Sequence, residues 1–315
     1  PLAVQMLKRQ QQTFTKEGQL SNRFPHADLG CADGLGWMAL RTMRVLEKTK
    51  TEHYFSKDEL VTLRKKLVDA VHTLEAKRHD GLIKNGPLET WMDTGMPQGD
   101  VRAGARIEIQ ALYIAHLTLI KKINTILADK QYEFITEQKE RFVKHVKAKL
   151  FTTVLHDGKN PDGTLDYTIR PNIFLAYYIA PELLTQKEWE QTFDSALTHL
   201  WMPWGGLSSI DKNHPLFTKN YTGQTNVSYH RGDSWFFVNA LAALALWNLQ
   251  PKKYSKYIKD ILLSCTNGIV SQGAVGSLAE VSSAQSQTAD GCVTQAWSLA
   301  LFIEAMSGIF KEAPQ

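Results

Sequence analysis

The sequence predicts an all-α protein in which helices pair into a toroid. Strand signals are almost absent, whereas apolar residues recur with helical spacing along the whole chain of 315 residues. Short polar links alternate with long segments rich in Gly, Pro and aromatic residues, so that a long segment follows every second helix. Segment 234–249 is apolar almost all round, which indicates a helix covered on most sides. Together these three observations favour an inner ring of helices inside an outer one.

Ten segments carry the helical pattern, with ends defined to within about 2–4 residues. In chain order they are 2–14, 33–48, 57–78, 106–127, 133–149, 172–180, 185–201, 234–249, 251–266 and 290–309. Segment 57–78 shows the reasoning. Ser56 is placed to cap it, and Asp58 and Glu59 fall in the first turn, where the helix dipole favours acids. The apolar stripe of this segment consists of Leu60, Leu63, Leu67, Val68 and Val71.

The long connections predict where a pocket forms. They are 15–32, 79–105, 150–171, 202–233 and 267–289, whereas 49–56 and 128–132 are short. Because a long connection follows every second helix, the long ones gather at one end of the double ring, and long loops in compact domains are usually functional. The sequence has no repeat of fixed period and no linker rich in Pro, Gly or Ser. We therefore expect one domain over residues 1–315.

Composition and charge exclude several classes of function. The chain is 43% hydrophobic and 22% charged, with a formal net charge of +4. Lysines and arginines are interspersed with acids rather than gathered in a basic stripe, which argues against a nucleic-acid partner. No apolar run approaches the roughly 20 residues that span a bilayer, and the first residues lack a signal-peptide pattern. We expect no membrane partner and a cytoplasmic location.

Metal and cofactor signatures are also missing from the sequence. Cys31, Cys265 and Cys292 have no paired ligand spacing, which argues against a disulfide framework or a zinc cluster and favours a reducing compartment. The histidines are scattered along the chain. The sequence contains no phosphate-binding glycine loop, dinucleotide fingerprint, Gly-x-Ser-x-Gly elbow or His-Glu-x-x-His motif. The sequence therefore predicts neither a metal site nor a cofactor.

Two separated carboxylates carry the leading chemical hypothesis. Leu88–Asp93 places Asp93 close to Trp91 in a loop rich in Gly and Pro, and Glu280 lies in a distant loop that is otherwise uncharged. Hydrolysis of a glycosidic bond needs one carboxyl group to protonate the leaving oxygen and another to activate water. An indole offers a sugar ring a flat apolar face and an acid a low-dielectric wall. The alternative interpretation makes Asp93 an ordinary turn or N-cap residue.

Further polar and aromatic residues lie in the same long loops. Arg106 and Glu108 stand at the start of the fourth predicted helix, where Glu108 is also explained as a first-turn acid. Segment 200–207 contains Trp204 in a Trp-Met-Pro-Trp-Gly-Gly run, and segment 229–235 reads Tyr-His-Arg-Gly-Asp-Ser-Trp. Aromatics interleaved with planar polar groups suit sugar binding, because rings stack on C–H faces and planar groups hydrogen-bond hydroxyls.

Two residues of these loops have an equally plain structural interpretation. His230 is as readily a hydrogen-bonded structural histidine as a binding residue. Asp290 is placed to be the N-cap of the last predicted helix.

These stretches together resemble the C-terminal amylo-α-1,6-glucosidase region of glycogen debranching enzymes, particularly the bacterial and archaeal members. The resemblance runs from about Gly18 to Ala305. Its landmarks are Leu20–Pro25, Ala32–Trp37, Thr90–Asp93, Arg106–Ile109, Arg170–Asn172, Tyr229–Trp235, Glu280 and Gln295–Ser298. Each landmark is weak alone, and their shared order over nearly the whole chain makes the resemblance specific.

The resemblance implies an (α/α)6 toroid that removes α-1,6-linked glucose stubs from glycogen with inversion. By position in the motifs, Asp93 corresponds to the family's general acid and Glu280 to its general base. An α-glucan or oligosaccharide is then the partner, with no cofactor. The candidate substrate-binding residues are Asp33, Trp37, Trp91, Arg106, Glu108, Trp204, His230, Asp233 and Trp235.

One departure from the family keeps other functions open. Family members usually begin with one or two helices that this sequence does not show, so we expect the chain to be a C-terminal part or to be completed by another segment or chain. The alternatives are a glucan-binding protein without catalysis and a toroid hydrolase of glucoamylase-like or trehalase-like specificity.

Overall fold

The structure, a computed structural model, describes residues 2–15, 19–20, 31–48, 54–95 and 102–311. Ten α-helices lie in these residues: α1 (Leu2–Gln11), α2 (Gly34–Lys48), α3 (Lys57–Ala76), α4 (Ile107–Leu127), α5 (Phe134–Leu150), α6 (Asn172–Ile179), α7 (Gln186–Leu200), α8 (Phe236–Leu249), α9 (Ser255–Ser271) and α10 (Ala296–Lys311). Each overlaps one predicted segment, so the all-α prediction is confirmed. Residues 21–25 of the landmark at 20–25 and most of connection 15–32 lie outside the described residues.

The predicted cap of α3 is present as a capping box. The Ser56 hydroxyl accepts the Glu59 N–H at 3.1 Å, and the Glu59 carboxylate accepts the Ser56 N–H at 2.8 Å. Thr185 and Glu188 form the same arrangement at the start of α7. Each box satisfies two N–H groups that the first helical turn leaves without partners, and a cap of this kind stabilises a helix by about 1 kcal/mol.

The prediction for the start of the last helix was wrong. That prediction placed the helix at 290–309 with Asp290 as its N-cap, but α10 begins at Ala296. Asp290 instead exchanges backbone hydrogen bonds with Val281, and its carboxylate accepts the hydroxyl of Thr288. The next residue, Gly291, has φ +68°, a left-handed conformation that cannot continue a right-handed helix.

The inner layer consists of α2, α4, α6, α8 and α10, which pack against one another in that order. Most residues of α4, α6 and α8 are buried, as the apolar segment 234–249 predicts. The remaining helices lie outside: α1 on α2, α3 and α5 on α4, α7 on α6 and α8, and α9 on α8. Where α2 crosses α4, a Cβ on Gly36 would lie 2.3 Å from the Cβ of Leu112, so only glycine permits this approach.

Side chains also connect the last inner helix to the first. The ring of Trp37 meets that of Trp297 edge-on at 6.0 Å between centroids, and Arg41 and Arg44 pair with Glu304. The described residues thus form five helix pairs. The sixfold count of the prediction, and the expectation that the first helices are missing, stay predictions.

The long loops contain short strands that pair with one another, and the sequence did not indicate these strands. β1 (Ala105–Arg106), β2 (Gly158–Lys159) and β3 (Leu165–Asp166) form one antiparallel sheet, β4 (Trp201–Met202) pairs with β5 (Gly206–Leu207), and β6 (Ser234–Trp235) pairs with β7 (Val281–Ser282). All five inner helices begin where a long loop ends. The β6–β7 pair, which sets Trp235 opposite Val281, therefore fixes two of these loops side by side at that end of the toroid.

Candidate active site

Asp93 follows two buried residues that hold its loop on the protein. The indole of Trp91, 8% exposed, donates to Asn172 Oδ1 at 2.8 Å and contacts Trp235 edge-on at 5.4 Å between ring centroids. On the other side, the Thr94 hydroxyl hydrogen-bonds with Nδ1 of His230 at 2.8 Å. Asp93 itself is exposed. An exposed carboxyl group between two anchored neighbours is held in place and remains accessible to a substrate.

Glu280 is held by hydrogen bonds at both of its carboxylate oxygens. Its Oε2 accepts the Cys292 N–H at 3.0 Å, and its Oε1 accepts the amide Nε2 of Gln295 at 2.8 Å. A Cβ on Gly291 would lie 2.5 Å from Glu280 Oε2, so glycine is needed there for space as well as for its positive φ. The second predicted catalytic carboxylate is therefore fixed in orientation.

Both predicted catalytic carboxylates affect the pKa of Tyr229. Burial raises the pKa of the Tyr229 hydroxyl, and the negative charges of Glu280 and Asp93 raise it further. Both carboxylates thus act on a single phenol. The loops that carry Asp93 and Glu280 are separated by nearly two hundred residues in sequence, and the fold brings them to the same place.

Asp33 adds a third carboxyl group at this end of the toroid. Its backbone C=O accepts the Trp37 N–H at 3.1 Å and so opens α2, and the Cys31 thiol donates to its Oδ1 at 3.1 Å. Burial is the main cause that raises the pKa of Asp33 to about 6, and the negative charges of Glu108 and Asp93 add to it. Asp33 therefore belongs with Asp93 in one electrostatic group.

Glu108 is deeply buried and paired rather than presented to the pocket. It is 1% exposed and accepts both terminal nitrogens of Arg102, at 2.5 Å and 3.1 Å. The same guanidinium donates to Asp157 at 2.9 Å and 3.1 Å. Buried ions need such pairing, because desolvation of an unpaired charge costs several kcal/mol. In this structure Glu108 orders the loops around the site through Arg102.

Arg106 extends this buried ionic network. Its guanidinium pairs with Asp166, donates to the C=O of Ala103 at 2.6 Å and lies 3.7 Å from Asp157. Asp157 also accepts the side-chain amide of Asn172 at 2.7 Å. The network joins the start of α4, the β2–β3 hairpin and, through Asp157 and Asn172, the start of α6.

The aromatic residues around Trp235 form a packed cluster, in which the faces of the rings lie against neighbouring side chains. Trp235 is 5% exposed, donates from Nε1 to the C=O of Tyr229 at 2.7 Å and stacks on His230 at 5.1 Å with a 12° angle between the rings. Burial, and after it the charges of Arg170, Arg231 and Arg102, lower the pKa of His230 well below its usual value. His230 is therefore neutral and takes part in the cluster as an aromatic ring.

Trp37 and Trp204 keep partly exposed rings, unlike Trp91 and Trp235. Trp37 begins α2 beside Asp33, and Trp204 lies in the β4–β5 turn against Phe236, with 6.5 Å between ring centroids. These two indoles have surface left for a sugar ring.

Asp233 is fully buried inside its own loop. Its carboxylate accepts the Ser228 hydroxyl at 2.7 Å, and burial, with a contribution from Asp290, raises its pKa to about 7. Of the predicted substrate-binding residues, Asp233, Glu108 and Arg106 are thus enclosed in protein and act on the site through its loops.

The sequence did not single out three residues of the site. Gln295 donates to Glu280, and the pKa of Tyr229 is raised by the charge of Glu280. Both residues stood inside recognised landmarks, and their position near Trp297 and His230 was the available signal. Asp157 had no comparable signal, because its importance comes from arginines far away in the sequence. The described residues contain no group of three or more His, Cys, Asp or Glu side chains placed to hold a metal ion. Among the same residues, no helix is long and apolar enough to cross a membrane.

A helical toroid whose loop end gathers carboxylates, arginines and aromatic rings is the arrangement of a glycoside hydrolase. The sequence pattern of the amylo-alpha-1,6-glucosidase family matches residues 5–304. The chain belongs to this family.

Solved structures support the fold independently. An uncharacterised conserved protein from Thermus thermophilus superposes with a TM-score of 0.69 at 16% identity, covering 96% of this chain and 87% of that one. The GH63 mannosylglycerate hydrolase of the same organism, solved with glucose, gives a TM-score of 0.68 at 15% identity, covering 95% and 86%. A sialidase gives 0.68 at 15% identity, covering 90% of this chain and 26% of that one. A comparison with curated proteins finds no significant match.

Proposed function

We propose that this chain is an inverting glucosidase that removes single α-1,6-linked glucose residues from the branch points of glycogen or a related α-glucan. Family membership supports the substrate class. The observation that supports the mechanism is that Glu280 and Asp93 both contribute to the raised pKa of Tyr229, although they lie nearly two hundred residues apart in the sequence. One carboxyl group acting as acid and a second acting as base are the minimum that inverting hydrolysis requires.

Asp93 acts as the general acid in this mechanism. Its exposed carboxyl group donates a proton to the glycosidic oxygen as the bond to the anomeric carbon breaks. An acid of this kind must hold its proton before the step. Asp33 is a nearby carboxyl group whose own pKa is raised to about 6, chiefly by burial, so Asp33 holds a proton in weakly acidic solution.

Glu280 acts as the general base on the opposite face of the sugar. It accepts a proton from the water that bonds to the anomeric carbon, and inversion follows because water and leaving group occupy opposite faces. The mechanism needs about 6.5–9.5 Å between the two carboxyl groups, which leaves room for that water. The bonds from Cys292 and Gln295 support this role, because they keep the carboxylate in one orientation.

The test measures glucose release from a phosphorylase-limit α-glucan that carries single α-1,6-glucosyl stubs. We expect release by the unaltered chain and a drop of about 10²–10⁴-fold in kcat for Asp93→Asn and for Glu280→Gln. Asp260→Asn is the matched control, because Asp260 pairs with the exposed Lys256 on the outer helix α9.

Three results would contradict the proposal. If Asp93→Asn released glucose as fast as the unaltered chain, Asp93 would not be the general acid. Binding of the glucan with no release by the unaltered chain would favour a glucan-binding protein without catalysis. Faster release from α-1,4-linked ends than from stubs would favour a glucoamylase-like specificity.

A further inference from the structure

A cavity lies in the wall of the toroid, outside the ring of inner helices. It has a volume of about 350 Å³ and is bounded by the first turn of α2, the last turn of α3, one side of α4 and segment 83–89. Neither Asp93 nor Glu280 lines it. Pockets for small organic ligands begin at about 300 Å³, whereas one ordered water needs far less space. The cavity is therefore large enough for an organic ligand.

Aliphatic side chains form one part of the cavity wall. They are Ala32, Leu35, Leu74, Ile83, Ile109 and Leu112. The ring of Tyr113 also lines the cavity, and its hydroxyl is already used as a donor to Glu75. Protein interiors are close-packed, and apolar surface gains free energy when it leaves water. This part of the wall therefore favours an occupant with an apolar body.

His116 adds a buried hydrogen-bond acceptor to the wall. It lines the cavity, is 1% exposed, and its Nε2 lies 2.9 Å from the C=O of Leu67. A carbonyl only accepts, so Nε2 carries the ring proton, and burial lowers the pKa of His116 to about 4, which keeps the ring neutral. Nδ1 is then an acceptor, and it has no hydrogen-bond partner within the described part of the chain. Leaving a buried acceptor unpaired is costly, so an occupant that carries a hydroxyl group is favoured.

Two lysines lie where the cavity meets solvent. Lys77, at the end of α3, and Lys84 both line the cavity and are exposed. Neither has an ion pair with any residue that the structure describes. Glu89 also lines the cavity, and its carboxylate accepts the Gly86 N–H at 2.5 Å. Two cations against one anion give this lining a net positive charge, which favours an acid group on the occupant.

We propose that the cavity binds an amphipathic organic acid, whose hydroxyl donates to Nδ1 of His116 and whose acid group lies near Lys77 and Lys84. The apolar body of this ligand packs against the aliphatic part of the wall. Cys31 also lines the cavity, and its thiol donates to Asp33 Oδ1 at 3.1 Å, so the ligand site adjoins the carboxyl groups of the active site without including them. The inference does not depend on the proposed function, because it concerns binding alone.

Isothermal titration calorimetry of the whole chain with 3-(4-hydroxyphenyl)propionate tests the proposal. This phenolic acid has a hydroxyl at one end of an apolar ring and a carboxylate at the other. Its analogue 3-phenylpropionate lacks the hydroxyl, and 3-(4-hydroxyphenyl)propan-1-ol lacks the carboxylate. We expect saturable binding of the phenolic acid and a Kd about 5–10-fold higher for 3-phenylpropionate, because the hydrogen bond to His116 is lost.

Variants of the lining residues locate the bound molecule. His116→Leu should bind the phenolic acid and 3-phenylpropionate equally, whereas the control His72→Leu, exposed on α3, should keep the difference between them. Lys77→Gln combined with Lys84→Gln should weaken binding of the phenolic acid about 3–10-fold and reduce its salt dependence, with no effect on the propanol analogue. Lys252→Gln, exposed between α8 and α9, is the control for charge. The lysine variant changes only exposed side chains, so it tests the site even if His116→Leu fails to fold.

Three results would overturn the proposal. The first is no saturable binding of the phenolic acid below about 10 mM. The second is an unchanged difference between the phenolic acid and 3-phenylpropionate in His116→Leu, because the hydroxyl would then bind elsewhere. The third is displacement of the phenolic acid by isomaltose, which would place it in the sugar site. A chain that releases no glucose leaves these titrations valid, so the proposed function and the cavity site are tested separately.

Discussion

The contact between Gly291 and Glu280 gives a prediction whose size follows from the structure. In Gly291→Ala the new Cβ would lie 2.5 Å from Glu280 Oε2, whereas ordinary van der Waals contact begins at 3.4 Å. The carboxylate or the loop must therefore move by about 0.9 Å. A displacement of about 1 Å at a catalytic group can cost about 100-fold in rate. The alanine must also adopt φ +68°, which costs about 1–2 kcal/mol of stability.

Gly276→Ala is the control for that experiment, because it separates strain from contact. Gly276 lies in the same loop with φ +87°, and no atom lies within 4 Å of the position that a Cβ would take there. Both variants should lose about 1–2 kcal/mol in urea unfolding, but only Gly291→Ala should lose kcat on the stub-bearing glucan, by about 10–100-fold. Equal kcat in the two variants would show that the glycine does not make room for a catalytic carboxylate.

Three further predictions concern stability. Arg102→Met leaves Glu108 and Asp157 buried without their partner, so urea unfolding should show a loss of about 3–5 kcal/mol in the free energy of unfolding. A loss below about 1 kcal/mol would contradict the stabilising role of this ionic network. Ser56→Ala removes the cap of α3 and should lower the free energy of unfolding by about 1 kcal/mol while kcat stays unchanged. A change in kcat would show that this cap also affects the active site. The pKa of Asp233 rises from 3.8 to about 7 on folding, so its contribution to stability falls as pH rises from about 4 to about 7. Asp233→Asn should therefore gain stability relative to the unaltered chain as pH rises from about 4 to about 7, and a gap that is constant across this window would exclude the titration.

The helices were predictable because their signals are local. A stripe of apolar residues and a cap such as Ser56 lie within one segment, and all ten helices of the described residues followed from such patterns. The short strands were not predictable, because a two-residue ladder such as β6–β7 has no periodicity and depends on segments far apart in the chain. Asp290 shows the same limit: its type suits an N-cap, but the positive φ of Gly291 and the pairing with Val281 decide its place.

The two candidate carboxylates were visible in the sequence, whereas the contacts that hold the surrounding side chains were not. Asp93 and Glu280 stood out as carboxylates in unusual surroundings, and their relation to one phenol follows from the fold. Glu108 was expected to face substrate, but its position beside Arg102 buries it in an ion pair that only the folded chain creates. Whether a polar side chain binds substrate or supports the site thus depends on its partners, which lie outside its own segment.

The first-formed anomer of glucose decides between inversion and retention at the proposed carboxylate pair. Proton NMR of the earliest product from the stub-bearing α-glucan distinguishes the two anomers before they interconvert. We predict β-glucose, because Glu280 directs water to the face opposite the leaving oxygen that Asp93 protonates. Initial release of α-glucose would contradict this mechanism, since retention requires a nucleophile in place of the water-activating base.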